Sequence, residues 1–181
     1  MAIKAQDILL DLVAIPSVSP MANAPVIDYA EKFLTGWKTQ RYAYCDPAGV
    51  EKINLLARTG PGTAELAFVC HTDTVPFDPQ WAEAVGPVIR GGKLYGRGSC
   101  DVKGFLACVL ASIAQVDVAS LKRPVAILLT ADEEIGCVGA KFMARKRPFR
   151  ARHMVIGEPT GLRAVCAGKG YALAEIVVRG K

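Results

Sequence analysis

Histidine, aromatic residues and long apolar runs are scarce in this sequence of 181 residues. It has 2 histidines and 7% aromatic residues. Its apolar runs stay well short of the roughly 18 residues that a membrane-spanning helix needs. Asp7 and Asp11 interrupt the apolar stretch near the N-terminus, which excludes the continuous apolar region of a secretory signal. We therefore expect a cytoplasmic protein with no membrane partner.

Cysteine pairs at metal-binding or redox spacing are also lacking. None of the 6 cysteines belongs to a C-x-x-C pair, and four lie in or beside apolar stretches. This usage predicts reduced, buried thiols. The formal net charge is +5, and its one dense basic run, at residues 145–152, follows a predicted helix. Because cations suit a helix C-terminus, we expect a solvated helix end and no nucleic-acid partner.

Apolar patterning predicts one α/β domain. The composition, 51% hydrophobic and 22% charged, excludes disorder, collagen and coiled coil. Periodicity and punctuation predict helices over 5–14, 25–37, 102–116 and 138–146, and strands over 53–57, 66–70, 125–130 and 154–156. This alternation predicts a mixed, mostly parallel sheet with helices on both faces. Two further strands are predicted over 163–167 and 171–179.

Side chains suited to metal binding follow the ends of the predicted strands. In an open α/β sheet, ligands bind outside the carboxyl ends of the strands. Six side chains are expected at this edge: His71, Asp73, Asp101, Glu133, Glu134 and Glu158. Five of them follow predicted strands, and Asp101 follows a glycine-rich loop at the start of a predicted helix.

Several carboxylates around one imidazole repel one another unless a cation neutralises them. Mixed nitrogen and oxygen ligands suit zinc, with cobalt or manganese as substitutes. A carboxylate between two such ions holds them at a spacing suited to hydrolysis. Asp73 is placed to fix the tautomer of His71. Of Glu133 and Glu134, one can bind metal while the other takes a proton from the attacking water.

Each of these side chains also has a purely structural interpretation. A histidine after a strand is often a hydrogen-bonded core residue, and acidic residues at helix starts act as caps or complement the helix dipole. These interpretations suffice singly, but the whole set at successive strand ends favours a metal site. An alternative with Cys100 as nucleophile and His71 as its base leaves the remaining carboxylates unexplained.

Four segments resemble, in order and spacing, the motifs of the M20 dinuclear zinc amidohydrolases and peptidases. They are 70–76 (CHTDTVP), 94–104 (LYGRGSCDVKG), 130–137 (TADEEIGC) and 157–160 (GEPT). Within the family they are most similar to acetylornithine deacetylases, with succinyl-diaminopimelate desuccinylases next and carboxypeptidases and aminoacylases as further alternatives. The resemblance implies the fold of the zinc exopeptidases. It also implies a small N-acyl amino acid substrate, N2-acetyl-L-ornithine of arginine biosynthesis.

The resemblance also implies a role for each of the six side chains. The implied zinc ligands are His71, Asp101, Glu134 and Glu158, with Asp101 shared by two ions. Glu133 would be the general base, and Asp73 the partner of His71. A cis peptide bond between Asp101 and Val102 is implied as well.

The sequence departs from the family in its supply of histidine. The family takes one histidine for its second zinc from the far C-terminal part of the chain and another from a lid domain. The remaining histidine here, His153, is predicted at the amino end of a strand, away from the metal edge. We therefore expect residues 1–161 to be the first portion of a catalytic domain and 162–181 to begin a lid or dimerisation domain. Such a fragment would bind one zinc ion or none and hydrolyse little, whereas the full-length protein would be a homodimer.

Overall fold

The computed structural model describes residues 3–168, 170, 172 and 174–180. Within these residues the helices are α1 (Ala5–Ala14), α2 (Ala24–Glu31), α3 (Lys103–Ile113) and α4 (Val138–Lys146). The strands are β1 (Lys38–Cys45), β2 (Glu51–Arg58), β3 (Ala64–His71), β4 (Val88–Arg90), β5 (Lys93–Tyr95), β6 (Val125–Thr130) and β7 (Ala151–Ile156). None of the described helices is both long enough and apolar enough to cross a membrane.

The central sheet has the strand order β1-β2-β6-β3-β7. β3 is parallel to its neighbours β6 and β7, whereas β2 is antiparallel to β1 and β6. Every strand of this sheet except β2 therefore points the same way, which confirms the predicted mixed, mostly parallel sheet. β4 and β5 form a separate hairpin.

Helices cover both faces of the sheet, as predicted. Leu55 of β2 and Leu129 of β6 point into a core that α1, α2 and α3 complete. Their chain neighbours Leu56 and Leu128 point to the other face, where Met143 of α4 packs on them. Because both faces are covered, apolar residues follow one another along these strands without the alternation of a half-exposed sheet.

The helices follow the predicted apolar spacing except at the ends of α2 and α3, the latter ending at Ile113 instead of residue 116. α1 and α4 have the predicted bounds, but α2 ends at Glu31 instead of continuing to residue 37. Phe33 and Trp37 nevertheless pack against the larger core. The chain reaches them through turns that include Gly36, whose φ of 81° suits glycine.

The structure also corrects the strand predictions. β1 escaped prediction because it is mostly exposed and polar along its length. The strand predicted over 163–167 is wrong, and no strand occurs in the described residues of 171–179; residues 169, 171 and 173 lie outside the described part of the chain. A high β-propensity forms a strand only where a partner backbone is available. Ile176 and Val178 are instead 86% and 87% exposed.

The expectation of buried thiols is wrong for most of the cysteines. Cys70 is buried and Cys137 half-buried, while the exposed cysteines are Cys45, Cys100, Cys108 and Cys166. Proximity to an apolar stretch does not decide which way a side chain points, because successive residues of a helix or strand face different directions. Cys108 thus lies on the exposed side of α3, whose other side is buried.

Candidate metal centre

The predicted side chains meet at one edge of the central sheet. His71, the last residue of β3, pairs with Thr130, the last residue of β6. Val69 of β3 pairs with Ile156, the last residue of β7. The carboxyl ends of three parallel strands therefore lie side by side, and acidic residues follow each of them in the chain. Asp101 reaches the same edge from the loop before α3. The peptide bond between Asp101 and Val102 is cis, as the family resemblance implies.

Two groups of potential metal ligands share His71. In one group the ligand atoms of His71, Asp101 and Glu158 lie within 4.8 Å of one another. In the other group, the ligand atoms of His71, Glu133 and Glu134 lie within 4.8 Å of one another. The first group is the set expected for one zinc ion. The second, as found among the described residues, contains the expected base Glu133 beside Glu134 and does not contain Asp101.

His71 is oriented by contacts to both ring nitrogens. Nδ1 lies 2.9 Å from the backbone carbonyl oxygen of Asp73, and Nε2 lies 3.0 Å from Oδ1 of Asp101. A carbonyl oxygen only accepts hydrogen bonds, so Nδ1 carries a proton and Nε2 faces the acidic side chains. This is the arrangement of a metal-binding histidine, whose second nitrogen donates to a fixed acceptor.

The partner of His71 is therefore the backbone of Asp73 and not its carboxylate, whose Oδ1 lies 3.7 Å from Nδ1. The carboxylate accepts hydrogen bonds from the backbone N–H groups of Glu133, at 2.9 Å, and Glu134, at 3.2 Å. It also accepts one from the hydroxyl of Ser19, at 2.8 Å. Asp73 thus fixes the backbone that carries Glu133 and Glu134, a function that sequence reasoning did not identify.

The other histidine lies away from this edge. His153 is within β7 and pairs with Leu66, near the amino end of β3. It was expected just before the strand, and the structure places it inside the strand with an exposed side chain. Among the described residues, His71 is therefore the imidazole available to this site.

Burial and crowded negative charge shift the pKa values of the candidate ligands. Burial, followed by the charge of Asp101, raises the pKa of Glu134. Burial also raises the pKa of Glu158, against the opposing charge of His71. For His71, burial opposes protonation, but the charge of Asp73 and the hydrogen bond to Asp101 outweigh it and raise the pKa. The site therefore attracts positive charge, and its nitrogen and oxygen donors fit a divalent cation such as zinc.

A thiol contacts the expected base. Sγ of Cys137 lies 3.2 Å from Oε1 of Glu133. Burial, followed by the hydrogen bond to Glu133, raises the pKa of Cys137, so this cysteine remains a thiol whose S–H donates to the carboxylate. Sequence reasoning missed the contact, although the four-residue separation from Glu133 across a glycine turn was a usable signal.

Two cavities flank the ligands. One, of about 210 Å³, lies between Glu134 and the loop of residues 96–101. The other, of about 460 Å³, is largely apolar and is lined by Phe105, Cys108 and Pro159, with Glu158 at its margin. A cavity of mixed lining beside a largely apolar one, both at the metal edge, suits a small molecule with polar and apolar groups.

Comparison with known proteins identifies the family. Residues 67–175 match the family described as Peptidase family M20/M25/M40. The chain belongs to this family. The matched segment contains all four motifs noted in the sequence, which confirms the resemblance drawn from them.

Two relatives within the M20 family share a more specific name, acetylornithine deacetylase. The chain is 47% identical over 178 residues to an acetylornithine deacetylase of Myxococcus xanthus, a match that covers 96% of this chain and 46% of that protein. It is 38% identical over 180 residues to an acetylornithine deacetylase of Klebsiella pneumoniae (strain 342), covering 94% of this chain and 46% of that protein. The chain thus spans just under half the length of these relatives.

Solved structures share the fold. Human carnosine dipeptidase 1 superposes with a TM-score of 0.71 at 22% identity, over 84% of this chain and 38% of that one. An M20 family metallo-carboxypeptidase of Sulfolobus solfataricus gives a TM-score of 0.67 at 23% identity, over 85% of this chain and 37% of that one. At these identities the likeness establishes the fold and not a substrate.

Proposed function

We propose that this chain carries the metal ligands and the general base of an amide hydrolase that removes the acetyl group from N2-acetyl-L-ornithine. The observation that carries the proposal is the convergence of His71 with four acidic side chains at one edge of the sheet. The choice of substrate is supported by 47% identity to a protein named acetylornithine deacetylase. Because the match spans 46% of that relative, the activity is proposed for the protein to which these residues belong.

The proposed ligands divide between two ions. His71, through Nε2, would hold one zinc ion with Asp101 and Glu158, and Asp101 would share a second ion with Glu134. Cobalt is the expected substitute, because it suits the same nitrogen and oxygen donors. When bound, zinc supplies Lewis acidity, which lowers the pKa of water and polarises a carbonyl group.

Glu133 is the proposed proton carrier. Its Oε1 accepts from the thiol of Cys137 at 3.2 Å, so Oε2 would take a proton from the attacking water. A C–O bond forms at the acyl carbon, the amide C–N bond breaks, and Glu133 returns the proton to the departing amine. Acetate and ornithine leave, with one water molecule consumed. The hydrogen bonds from the backbone N–H groups of Glu133 and Glu134 to Asp73 fix the backbone from which both carboxylates extend.

The domain division expected from the sequence is also a proposal. Residues 1–161 would form the first portion of the catalytic domain, and residues 162–181 would begin a second domain. It is supported by the position of β7, which ends at Ile156 and is followed by no regular element in the described residues.

Metal titration tests the ligand assignment. Isothermal titration with zinc or cobalt is expected to show binding to the parent chain and loss of at least tenfold in affinity for Asp101→Asn and Glu158→Gln. Asp7→Asn is the matched control, because Asp7 is an exposed carboxylate of α1. Unchanged affinity in either ligand variant would show that its residue does not bind the ion.

Turnover tests the reaction and the substrate. Release of ornithine from N2-acetyl-L-ornithine is measured in the zinc-loaded protein to which these residues belong, and Glu133→Gln there is expected to lower kcat by at least about 100-fold while keeping the zinc affinity. A higher kcat/KM for N-succinyl-diaminopimelate would assign the desuccinylase reaction instead. Zinc binding without hydrolysis of either compound would assign a non-catalytic metal-binding chain.

A further inference from the structure

A buried lysine lies beside the proposed base without being part of the site described above. The sheet register explains its position. Tyr44 of β1 pairs with Lys52 of β2. The antiparallel register of β2 with β6, in which Leu55 pairs with Leu129, brings Lys52 level with Asp132 when continued by three residues. These three side chains therefore form a row at the metal edge of the sheet.

Lys52 contacts three parts of the chain at once. Its side chain is 1% exposed, and Nζ lies 3.2 Å from Oδ1 of Asp132 and 3.8 Å from Oδ2 of Asp46. Nζ also donates to the backbone carbonyl oxygens of Ser19 and Met21, the latter at 2.8 Å. A buried ammonium group is tolerated only when it is paired in this way.

Asp132 depends on this lysine. Its Oδ1 is buried and has no hydrogen-bond partner among the described residues. The ion pair with Lys52 does not have the angle of a hydrogen bond, but it supplies the positive charge that compensates this oxygen. Its Oδ2 accepts from the hydroxyl of Tyr44 at 2.7 Å. The backbone of Asp132 has a φ of 56°, a left-handed conformation that is uncommon for residues other than glycine, asparagine and aspartate.

Asp132 begins the turn that carries Glu133 and Glu134. The N–H of Val138 donates to the carbonyl oxygen of Asp132 at 2.9 Å, and the N–H groups of Gly136 and Cys137 donate to that of Glu133 at 2.9 Å. Residues 132–138, hereafter the acidic turn, therefore have their direction set at Asp132.

Lys52 is also linked to Asp73, which fixes the acidic turn at a second point. The carbonyl group of Ser19 accepts from Lys52, and the hydroxyl of the same serine donates to Asp73 at 2.8 Å. Asp73 in turn accepts from the N–H groups of Glu133 and Glu134. The ammonium group of Lys52 thus contacts both Asp132, which starts the acidic turn, and Ser19, which positions Asp73.

We propose that Lys52 is a positioning residue, which fixes the acidic turn through Asp132 on one side and through Ser19 and Asp73 on the other. Its importance for catalysis rests on the proposed function, because Glu133 and Glu134 are the proposed base and metal ligand. Its effect on the acidic turn is a property of the fold and can be measured without metal.

Hydrogen exchange of the metal-free chain, followed by mass spectrometry, is the primary test. In Lys52→Met, exchange of the peptide over residues 132–138 is expected to accelerate at least tenfold, while peptides of α1 keep the parent rate. Arg41→Met is the matched control, because it also removes an ion-paired cation, one that pairs with Asp28 and Glu31 at the exposed surface of β1. Parent-like exchange of residues 132–138, or equal acceleration throughout the chain, would overturn the proposal.

Two further variants keep the test decisive if Lys52→Met does not fold. Lys52→Met combined with Asp132→Asn leaves no unpaired buried charge, and asparagine accepts the left-handed backbone. Tyr44→Phe removes one hydroxyl and keeps the ring that packs 5.3 Å from Phe142. The double variant is expected to recover the melting temperature and still show the faster exchange, and Tyr44→Phe is expected to show a smaller acceleration confined to residues 132–138. Parent-like exchange in both would overturn the proposal.

Cobalt binding then links the acidic turn to the proposed function. The cobalt dissociation constant of Lys52→Met and of the double variant is expected to rise at least tenfold, with a changed visible absorption spectrum. If the parent chain binds no cobalt, the proposed function fails, whereas the positioning by Lys52 is still decided by hydrogen exchange.

Discussion

Asp73 acts through both its backbone and its side chain, and the two actions can be separated. Asp73→Asn keeps the carbonyl oxygen that orients His71 but places an amide where a carboxylate accepted two backbone N–H groups. We expect cobalt affinity to fall about 10- to 100-fold, as for other residues that hold metal ligands in place. Calorimetric titration measures this, with Asp78→Asn at an exposed loop position as control. Parent affinity in Asp73→Asn would show that the carboxylate is dispensable.

The exposure of the cysteines, together with the raised pKa of Cys70 and Cys137, predicts which thiols react. Only the thiolate reacts readily with iodoacetamide. Burial raises the pKa of both Cys70 and Cys137, whereas Cys100 and Cys108 are exposed. Peptide mapping of the briefly alkylated native chain should show modified Cys100 and Cys108, with Cys70 and Cys137 intact. Modification of Cys137 as fast as that of Cys100 would argue against its hydrogen bond to Glu133.

The convergence of His71 and Glu158 could be predicted because parallel strands deliver the residues after their carboxyl ends to one edge. Asp101 was expected there from its place at the start of the following helix. For the contact of Cys137 with Glu133, the four-residue spacing was a usable signal. The contacts of the Asp73 carboxylate could not be predicted, since they depend on how the acidic turn folds over the end of β6. Lys52 was equally hidden, because its position opposite Asp132 follows from the register between β2 and β6, which apolar patterning does not fix.

Among the elements, prediction succeeded where apolar spacing and chain breakers agreed. β6 and α4 have the predicted bounds, since each is an apolar or amphipathic segment between charged residues, glycine or proline. β1 was missed because a strand at the edge of the sheet needs no apolar face. The segment over 163–167 has strand-forming residues but pairs with no strand among the residues that the structure describes, so propensity alone gave a wrong prediction.

The packing of α4 on the sheet depends on the absence of a side chain at Gly139. A Cβ atom there would collide with the carbonyl oxygen of Ala131 and with Oδ1 of Asn54, which accepts from the N–H of Ala131 at 3.1 Å. Gly139→Ala is therefore expected to lower the free energy of unfolding by about 1–3 kcal/mol. Urea denaturation measures the change.

Gly60→Ala is the matched control for this substitution. A Cβ atom at Gly60 would meet only the ring of Pro124, at 3.6 Å, which is ordinary van der Waals contact. We expect its unfolding free energy to stay within about 0.5 kcal/mol of the parent value, as for most surface substitutions. Equal effects of the two substitutions would show that α4 can shift away from β6 at little cost.

In the whole molecule, the direction of β2 decides which residue this strand brings to the metal edge. β1, β6, β3 and β7 bring their carboxyl ends to this edge, while the antiparallel β2 brings its amino end there. The residues that follow β3, β6 and β7 are acidic, and the residue that β2 contributes is Lys52. The sheet therefore places a fixed positive charge behind the acidic turn and leaves the side chains in front of it with an excess of negative charge.

This excess of negative charge predicts how pH and zinc together control stability. The pKa values of His71, Glu134 and Glu158 are raised in the folded chain above their ordinary values of 6.5, 4.5 and 4.5. The folded chain then binds more protons than the unfolded chain, so without metal its stability should fall as pH rises from about 4.5 to above 6.5. Zinc binds the deprotonated side chains, so its stabilising effect should grow over the same interval.

Melting temperatures at pH 5, 6 and 7, with and without zinc, test this coupling. At pH 7, zinc at 100 times its dissociation constant should add about 2.7 kcal/mol, or roughly 5–10 °C for a chain of this size, and at pH 5 much less. The pH interval over which stability falls ends below pH 8. Burial lowers the pKa of Lys103 to about 8, so stability then rises with pH toward 10.5, the ordinary pKa of lysine. A zinc effect as large at pH 5 as at pH 7 would mean that His71, Glu134 and Glu158 do not bind the ion.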